Sequence, residues 1–329
     1  MTPSSFQLLS ILADGQYHSG EGLGEVLAIS RAAVWKQIQQ LQELGVEIQS
    51  VKGKGYCVPG GMSLLNKQVI ANGLGGAAEK LLKDLLVEPV LESTNQFLLE
   101  KSRAGESIHG VVCLAEKQTA GRGRRGRSWQ SPFACNLYCS LGWRIENGVN
   151  AIEGLSLAVG VALSEALSRL GVGGVQLKWP NDLLFDEKKL GGILLEISGD
   201  ASGECDLVLG FGLNVHMPET AASNIDQAWT DMASICGADE LPDRNEIAAK
   251  VMTQILLLMG SYESHGFAPY KTRWEKLNAH HNKQVKLFAG SKETVGVVQG
   301  VSKAGALLLN VDGSVQEFIG GEISVRPVL

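Results

Sequence analysis

Residues 118–129 read QTAGRGRRGRSW and set four arginines, Arg122, Arg124, Arg125 and Arg127, among three glycines, Gly121, Gly123 and Gly126. An arginine offers five donors in a planar fork that matches carboxylate and phosphate. Glycine lets the backbone approach a ligand closely. In a chain of net charge -6, such a run is suited to closing over an anion. Three readings compete. GRGRRG satisfies the dinucleotide fingerprint G-x-G-x-x-G, which must open a helix that holds a pyrophosphate; here Ser131-Pro132 and a strand-like run at 135–141 follow instead. An Arg/Gly segment that is merely solvated, or binds RNA loosely, belongs in longer low-complexity tracts. The third reading is a loop that wraps the phosphate and carboxylate of a small ligand.

Two further stretches carry candidate chemistry. In 175–196, Val175, Leu177 and Trp179 alternate with Gln176 and Lys178 as a strand, and Pro180-Asn181-Asp182 breaks it. A hairpin with its turn at 186–188 follows, and Lys189 opens the returning strand. Strand period two puts Lys189, Gly191 and Ile193 on one face, so Lys189 stands beside a residue without a side chain. A solvated turn lysine like Lys188 is the plain alternative, and periodicity does not separate the two. In 207–215, LVLGFGLNV, Gly210, Gly212 and Asn214 share a face. That is a bare patch for a ligand lying flat, or a β-bulge. Ser93, ahead of Thr94 and Asn95, is placed to cap a helix from Phe97.

These residues need a scaffold. The 329 residues, 44% hydrophobic, suffice for two or three domains with a buried core. No apolar run is expected to span a membrane, and the start lacks the basic and apolar regions of a signal peptide. The six cysteines form no CxxC pair and read as buried thiols of a reducing cytoplasm. In the first sixty residues, Phe6, Leu8, Leu9, Ile11 and Leu12 mark one helix, and a second follows Ser19. Ser30 caps a third, which buries Val34, Ile38 and Leu41. A hairpin then turns at 52–55. This is the order of a winged helix-turn-helix, whose third helix presents Ser30, Arg31, Trp35 and Lys36 to base edges while Lys52 and Lys54 on the wing meet phosphates. Four Lys/Arg against five Asp/Glu in residues 1–60 make one copy a weak binder, which a dimer on two half-sites would remedy. A module used only for protein contact is the alternative.

Pro59-Gly60-Gly61 reads as a short linker, 67–86 as helical, 111–116 as the strand that delivers the arginine loop, and 155–170 as a buried helix. A polar, Ala-rich insertion at 216–240 and a helix at 244–262 follow. From residue 284 five short strands, punctuated by Gly290, Gly305, Gly313 and Gly320-Gly321, suggest a small SH3-like barrel. The expected fold class is α+β in three parts. Residues 1–61 form a winged helix-turn-helix, 62–277 a mixed α/β domain with a helix-covered sheet, and 278–329 the SH3-like domain.

Taken together, QTAGRGRRGRSW, the STN at 93–95, KWPNDLLFDEKKLGGILLE and GFGLNV resemble the biotin–protein ligases. With the winged module, the chain is similar to the bifunctional form that is also the biotin operon repressor. The resemblance implies that biotin and MgATP give biotinyl-5′-adenylate. The adenylate then acylates one lysine of the biotin carboxyl carrier protein of acetyl-CoA carboxylase. It also implies a homodimer, when adenylate-bound, on the operator DNA of biotin biosynthesis genes, with no membrane partner. By position it implies Ser93, Thr94, Asn95 and Gln118 at the biotin ureido ring, with Gly121, Gly123, Gly192 and Gly210 lining biotin. Lys189, Arg122 and Arg124 would act in catalysis. Arg127, Trp129, Lys178, Asn181, Asp182 and Asn214 would surround the nucleotide, Asp182 and Asn214 also meeting Mg²⁺ through phosphate. His109, His216, His280 and His281 read as surface or core residues. Two alternatives remain: a winged-helix repressor that senses a small molecule without catalysis, and a lipoate–protein ligase.

Overall fold

In the computed structural model, which describes every residue except 201, 202, 224, 291, 321, 322, 328 and 329, the N-terminal helices are α1 (Pro3–Leu12), α2 (Gly20–Leu27) and α3 (Arg31–Glu43). Gly321, expected at a turn, lies outside the described residues. Each helix starts where a side-chain oxygen can replace a missing carbonyl: Thr2, Ser19 and Ser30 accept from the backbone N–H of Ser5, Gly22 and Ala33. Leu8, Leu9, Leu12, Leu23, Val34, Ile38 and Leu41 meet in one buried cluster. The wing is the hairpin β1 (Gln49–Val51) and β2 (Gly55–Cys57).

The next elements correct the expected helical run. α4 (Lys67–Asn72) and α5 (Gly76–Glu79) are short, and β3 (Asp84–Leu91) begins inside it. Parallel pairing with β4 (Val111–Gln118), for example Leu85 with Val112, buries that stretch and overrides its helical pattern. Between them lies α6 (Thr94–Arg103), and β5 (Leu137–Ile145), α7 (Leu155–Arg169), β6 (Gln176–Lys178), β7 (Asp182–Phe185), β8 (Lys188–Gly199) and β9 (Cys205–Leu213) follow. The insertion holds α8 (Glu219–Ala222) and α9 (Met232–Cys236), and α10 (Arg244–His265) and α11 (Ala268–Leu277) close the middle. The seven-stranded sheet runs β3-β4-β5-β9-β8-β7-β6. α7 and α10 pack on one face over Leu114, Phe211 and Ile193. α6 covers only part of the other, over Cys113 and Val208, and the remainder of that face is open to a ligand. The stretch 149–169 is long and apolar enough in composition to span a membrane, but 67% of its most apolar window is buried inside the protein, so its apolar surface belongs to the core.

The C-terminal strands β10 (Gln284–Ala289), β11 (Lys292–Val301), β12 (Leu307–Val311), β13 (Ser314–Phe318) and β14 (Ile323–Pro327) form an antiparallel sheet in the order β13-β12-β11-β10-β14, of SH3-like type. Trp179 Nε1 donates to Gly305 O at 3.0 Å and ties this sheet to the central one.

The winged module is also docked. Phe133, just past the arginine loop, is 5% exposed inside the helix-turn-helix cluster, with Val90 and Ala134 beside it. Lys117 Nζ donates to Leu44 O at 2.7 Å. The linker is held by a buried ion pair: Arg244 Nη2 lies 2.7 Å from Glu116 Oε2, with exposures of 6% and 0%. Leu65 N–H donates to Glu116 Oε1 at 2.5 Å, and Arg244 Nη1 donates to Ser63 O at 3.0 Å. Both carboxylate oxygens are satisfied, so removing Glu116 leaves a buried guanidinium without its counter-charge. Glu116→Ala is therefore expected to lower stability by about 3–5 kcal/mol in urea unfolding; a loss near zero would mean that water replaces the carboxylate.

Candidate active site

The uncovered part of the sheet face floors a cavity of about 690 Å³, walled by the arginine loop, by residues 225–229 and by Arg326 on β14. Its inner end is a buried polar cluster. Ser93 starts α6, its hydroxyl accepting from Gln96 N–H at 3.5 Å. Thr94 donates twice to Gln118 Oε1, from N–H at 2.9 Å and from Oγ1 at 3.2 Å. Gln118 Nε2 donates to Ser131 Oγ at 3.1 Å. Beneath them Ser140 Oγ lies 2.7 Å from Thr94 Oγ1 and 2.5 Å from Asn95 Oδ1. Asn95 Nδ2 reaches Glu196 Oε2 at 2.8 Å.

Gly210, Gly212 and Gly192 lie on this face as a bare patch, yet side chains already occupy it. A Cβ at Gly210 would lie 2.0 Å from Asn95 Oδ1, and one at Gly212 would lie 2.6 Å from the Trp129 indole. The glycines thus make room for Asn95 and Trp129. The loop itself is a small hairpin: Trp129 N–H donates to Gly121 O at 2.8 Å and Gly123 N–H to Arg127 O at 2.7 Å. Arg125 and Gly126 turn its tip at φ 60° and 70°. Arg125 and Arg127 are exposed, whereas Arg124 reaches inward to Asn181 Oδ1 at 3.0 Å.

The structure separates Lys189 from Lys188. Leu183 pairs with Gly191 but Leu184 pairs with Lys189, so Leu190 is an extra residue in β8. The bulge reverses the face of everything before it. Lys189 therefore does not share a face with Gly191 and Ile193, as strict alternation implied. It projects into the cavity over Gly192, whose Cβ would lie 3.5 Å from Lys189 Nζ, while Lys188 stays exposed. Lys189 Nζ sits 2.8 Å from Asp182 Oδ1 and 5.4 Å from the centre of the Trp129 ring.

Cations outnumber anions here. Burial lowers the Lys178 pKa from its ordinary value, and Lys189, Arg127 and Arg326 lower it further against the pull of Asp182. Burial likewise lowers Arg124, with Arg125 adding to the effect and Asp182 opposing it. His280 is 8% exposed. Burial, then the charges of Lys178 and Lys283, push its pKa down to about 4, so it is a neutral core residue and not a surface one. Asn214 donates from Nδ2 to Lys189 O at 3.3 Å and Thr230 O at 3.0 Å, while its Oδ1 is buried with no partner in the protein. Among the described residues no three His, Cys, Asp or Glu cluster as a metal site. One carboxylate and one unpartnered amide oxygen fit a divalent ion that arrives already bound to phosphates.

Three contributors went unseen in the sequence. Ser140 is a lone buried hydroxyl in an apolar strand. Glu196 lies beyond the motif glycines. Trp229 comes from the insertion, fastened to β8 by Lys189 N–H to Ala228 O at 2.9 Å and Thr230 N–H to Lys189 O at 3.0 Å. An aromatic in a polar stretch was the only signal for Trp229. On the winged module Ser30, Arg31, Trp35, Lys36, Lys52 and Lys54 are all exposed. Trp35 is 57% exposed and points outward from α3.

Comparison with known proteins agrees with these features. The family models that match are Biotin/lipoate A/B protein ligase family over residues 87–214, HTH domain over 5–57 and Biotin protein ligase C terminal domain over 280–326. The chain is 44% identical to the bifunctional ligase/repressor BirA of Escherichia coli K12, over 97% of this chain and 96% of that one. It is 28% identical to the Bacillus subtilis protein of the same description, over 95% of each. The biotin protein ligase of Aquifex aeolicus, solved in complex with biotin and ATP, superimposes with a TM-score of 0.64 at 30% identity, covering 75% of this chain and all of that one. With the winged module, the arginine loop and the bulge-placed lysine in one chain, this protein belongs to the bifunctional biotin–protein ligase/repressor family.

Proposed function

We propose that the chain activates biotin with ATP to biotinyl-5′-adenylate and passes biotin to a lysine of a biotin carboxyl carrier protein. Loaded with adenylate, it dimerises and represses biotin biosynthesis genes through its winged module. We also take residues 1–61, 62–277 and 278–329 as its three domains. The observation that carries the catalytic reading is the excess of cations around Asp182: Lys178, Lys189, Arg124, Arg127 and Arg326 converge on one half-buried cavity. Like charges held together in the free protein favour a polyanion that relieves their repulsion.

In the first step a biotin carboxylate oxygen bonds to the α-phosphorus of ATP, and the bond from that phosphorus to pyrophosphate breaks. Two anions must approach, so fixed positive charge from Lys189, Arg122 and Arg124 lowers the barrier. Asp182 and Asn214 would hold a phosphate-bound Mg²⁺, which would supply further charge neutralisation. Ser93, Thr94, Asn95 and Gln118 are assigned to the ureido ring, and the chain of donors and acceptors among them supports this. Gly121, Gly123, Gly192 and Gly210 keep backbone and side chains close to it. Trp129 and Asn181 are assigned to the nucleotide side. In the second step a neutral carrier amine attacks the acyl carbon and AMP leaves. No side chain forms a covalent intermediate; the thiol of the half-buried Cys135, for one, is pushed up to about 11, chiefly by burial, with Arg244 opposing and Glu116 adding to the rise.

On the regulatory side, β7 pairs with β8 only as far as Gly192. Beyond it β8 has β9 on one side and no strand on the other among the described residues, and Ile197 is 40% exposed there. An open strand edge is a template for pairing, which supports an edge-to-edge dimer.

Incubated with biotin and MgATP, the protein should give a biotinyl-adenylate mass and release pyrophosphate, and a lipoate control should give neither; adenylate formed from lipoate alone would overturn the assignment. Lys189→Ala should reduce adenylate formation at least about a hundredfold, and normal turnover in that variant would remove Lys189 from the chemistry. Nucleotide binding should take up protons. Lys178, lowered in the free pocket, regains its proton beside phosphate, so affinity falls as pH rises from its lowered value toward the ordinary lysine range. Calorimetry in buffers of different ionisation heat reads this directly. Ile197→Lys should leave adenylate synthesis intact and abolish the adenylate-dependent dimer in sedimentation, whereas an unchanged dimer would place the interface elsewhere.

A further inference from the structure

Glu196 has no part in the chemistry above, yet one of its oxygens holds two elements of the pocket. Oε2 accepts from Asn95 Nδ2 at 2.8 Å and lies 3.2 Å from Arg122 Nη2. Asn95 belongs to the buried end, where it meets Ser140, and Ser140 meets Thr94. Arg122 belongs to the loop. From Arg122 the contacts run through Glu196, Asn95, Ser140, Thr94, Gln118 and Ser131, and return to the loop where Ser131 Oγ donates to Trp129 O at 3.1 Å. The circuit joins the loop's arm to its base. Gly210 is part of the same arrangement, since a Cβ there would displace Asn95.

We propose that Glu196 is a positioning residue that latches the arginine loop: its Oε2 binds Asn95 and Arg122 together, so loop closure and the order of the ureido-end hydroxyls become one event. The proposal rests on the biotin-ligase reading. The two ends of the pair differ as a latch requires. Asn95 is 4% exposed, whereas the Arg122 and Glu196 side chains are 39% and 25% exposed. A pair so wet contributes little by itself, so it opens readily for substrate. Anchoring one partner through Asn95 lowers the conformational entropy lost each time it closes. A closed loop keeps water from the mixed anhydride. Water attacks its acyl carbon, the bond from that carbon to the phosphate oxygen breaks, and biotin and AMP are released, so an unlatched loop wastes ATP.

The test is steady-state kinetics together with the rate at which enzyme-bound adenylate is lost to water, in the full chain without carrier protein. Glu196→Ala should raise the KM for biotin about tenfold and the loss rate about tenfold, the scale of one charge-assisted hydrogen bond, with the KM for ATP little changed. Glu196→Gln keeps an acceptor but no charge, and should fall between Ala and wild type on both readouts. Arg122→Ala should raise the loss rate, and the Arg122→Ala/Glu196→Ala pair should lose no more than the worse single variant. Additive losses, or a Glu196→Ala protein with the wild-type melting temperature, KM and loss rate, would overturn the latch. If Glu196→Ala does not fold, the same cycle with Glu196→Gln decides. A wild-type protein that forms no adenylate from biotin fails earlier, and fails the ligase reading rather than the latch alone.

Discussion

Repulsion among cations shapes this cavity. Lys178, Lys189, Arg124, Arg127 and Arg326 are brought together by three separate parts of the chain: the arginine loop, the β6–β8 hairpin and the last strand of the C-terminal sheet. Asp182 is the carboxylate that tempers them, in contact with Lys189. The folded protein carries this charge at a cost, visible in the lowered pKa values of Lys178 and Arg124, where burial is the larger cause and neighbouring cations add to it, and offsets it with the large apolar core beneath the sheet. Binding a phosphate-bearing ligand converts that stored repulsion into attraction. Attraction for anions follows from the fold, while on the proposed reading the choice among anions falls to the polar cluster at the cavity's inner end.

The sheet makes this possible through small departures from regularity. A single extra residue, Leu190, turns Lys189 from the core face to the ligand face. Glycines at 210 and 212 let Asn95 and Trp129 lie on the strands. Neither device changes the overall topology. Both place one side chain to within about a residue's width, which strand geometry alone could not do.

Much of this was legible in the chain. Caps at Ser19, Ser30 and Ser93, the apolar stripe of the first three helices and the five C-terminal strands follow local rules, and the structure has them. What local rules missed was set by distant partners. Residues 84–86 left the helical pattern because β4 offered parallel pairing. The face of Lys189 depended on a bulge that no periodicity announces. Ser140 looked like one more strand residue until Thr94 and Asn95 were placed above it, and Trp229 reached the cavity through a segment with no regular pattern at all.

Phe133 gives the boundary between modules a different meaning. Along the chain the last strand of the winged module ends at Cys57, but its apolar core is completed by the distant side chain of Phe133. Phe133 lies four residues after Trp129, which rests on the glycine floor of the cavity. Excising the first sixty residues would uncover Phe133, Val90 and Ala134, an apolar patch a few residues past the arginine loop. The two halves of such a protein are better understood as a graft that has healed than as beads on a string. Their inheritance is shared, because the winged module cannot close its own core without a side chain that the second half supplies.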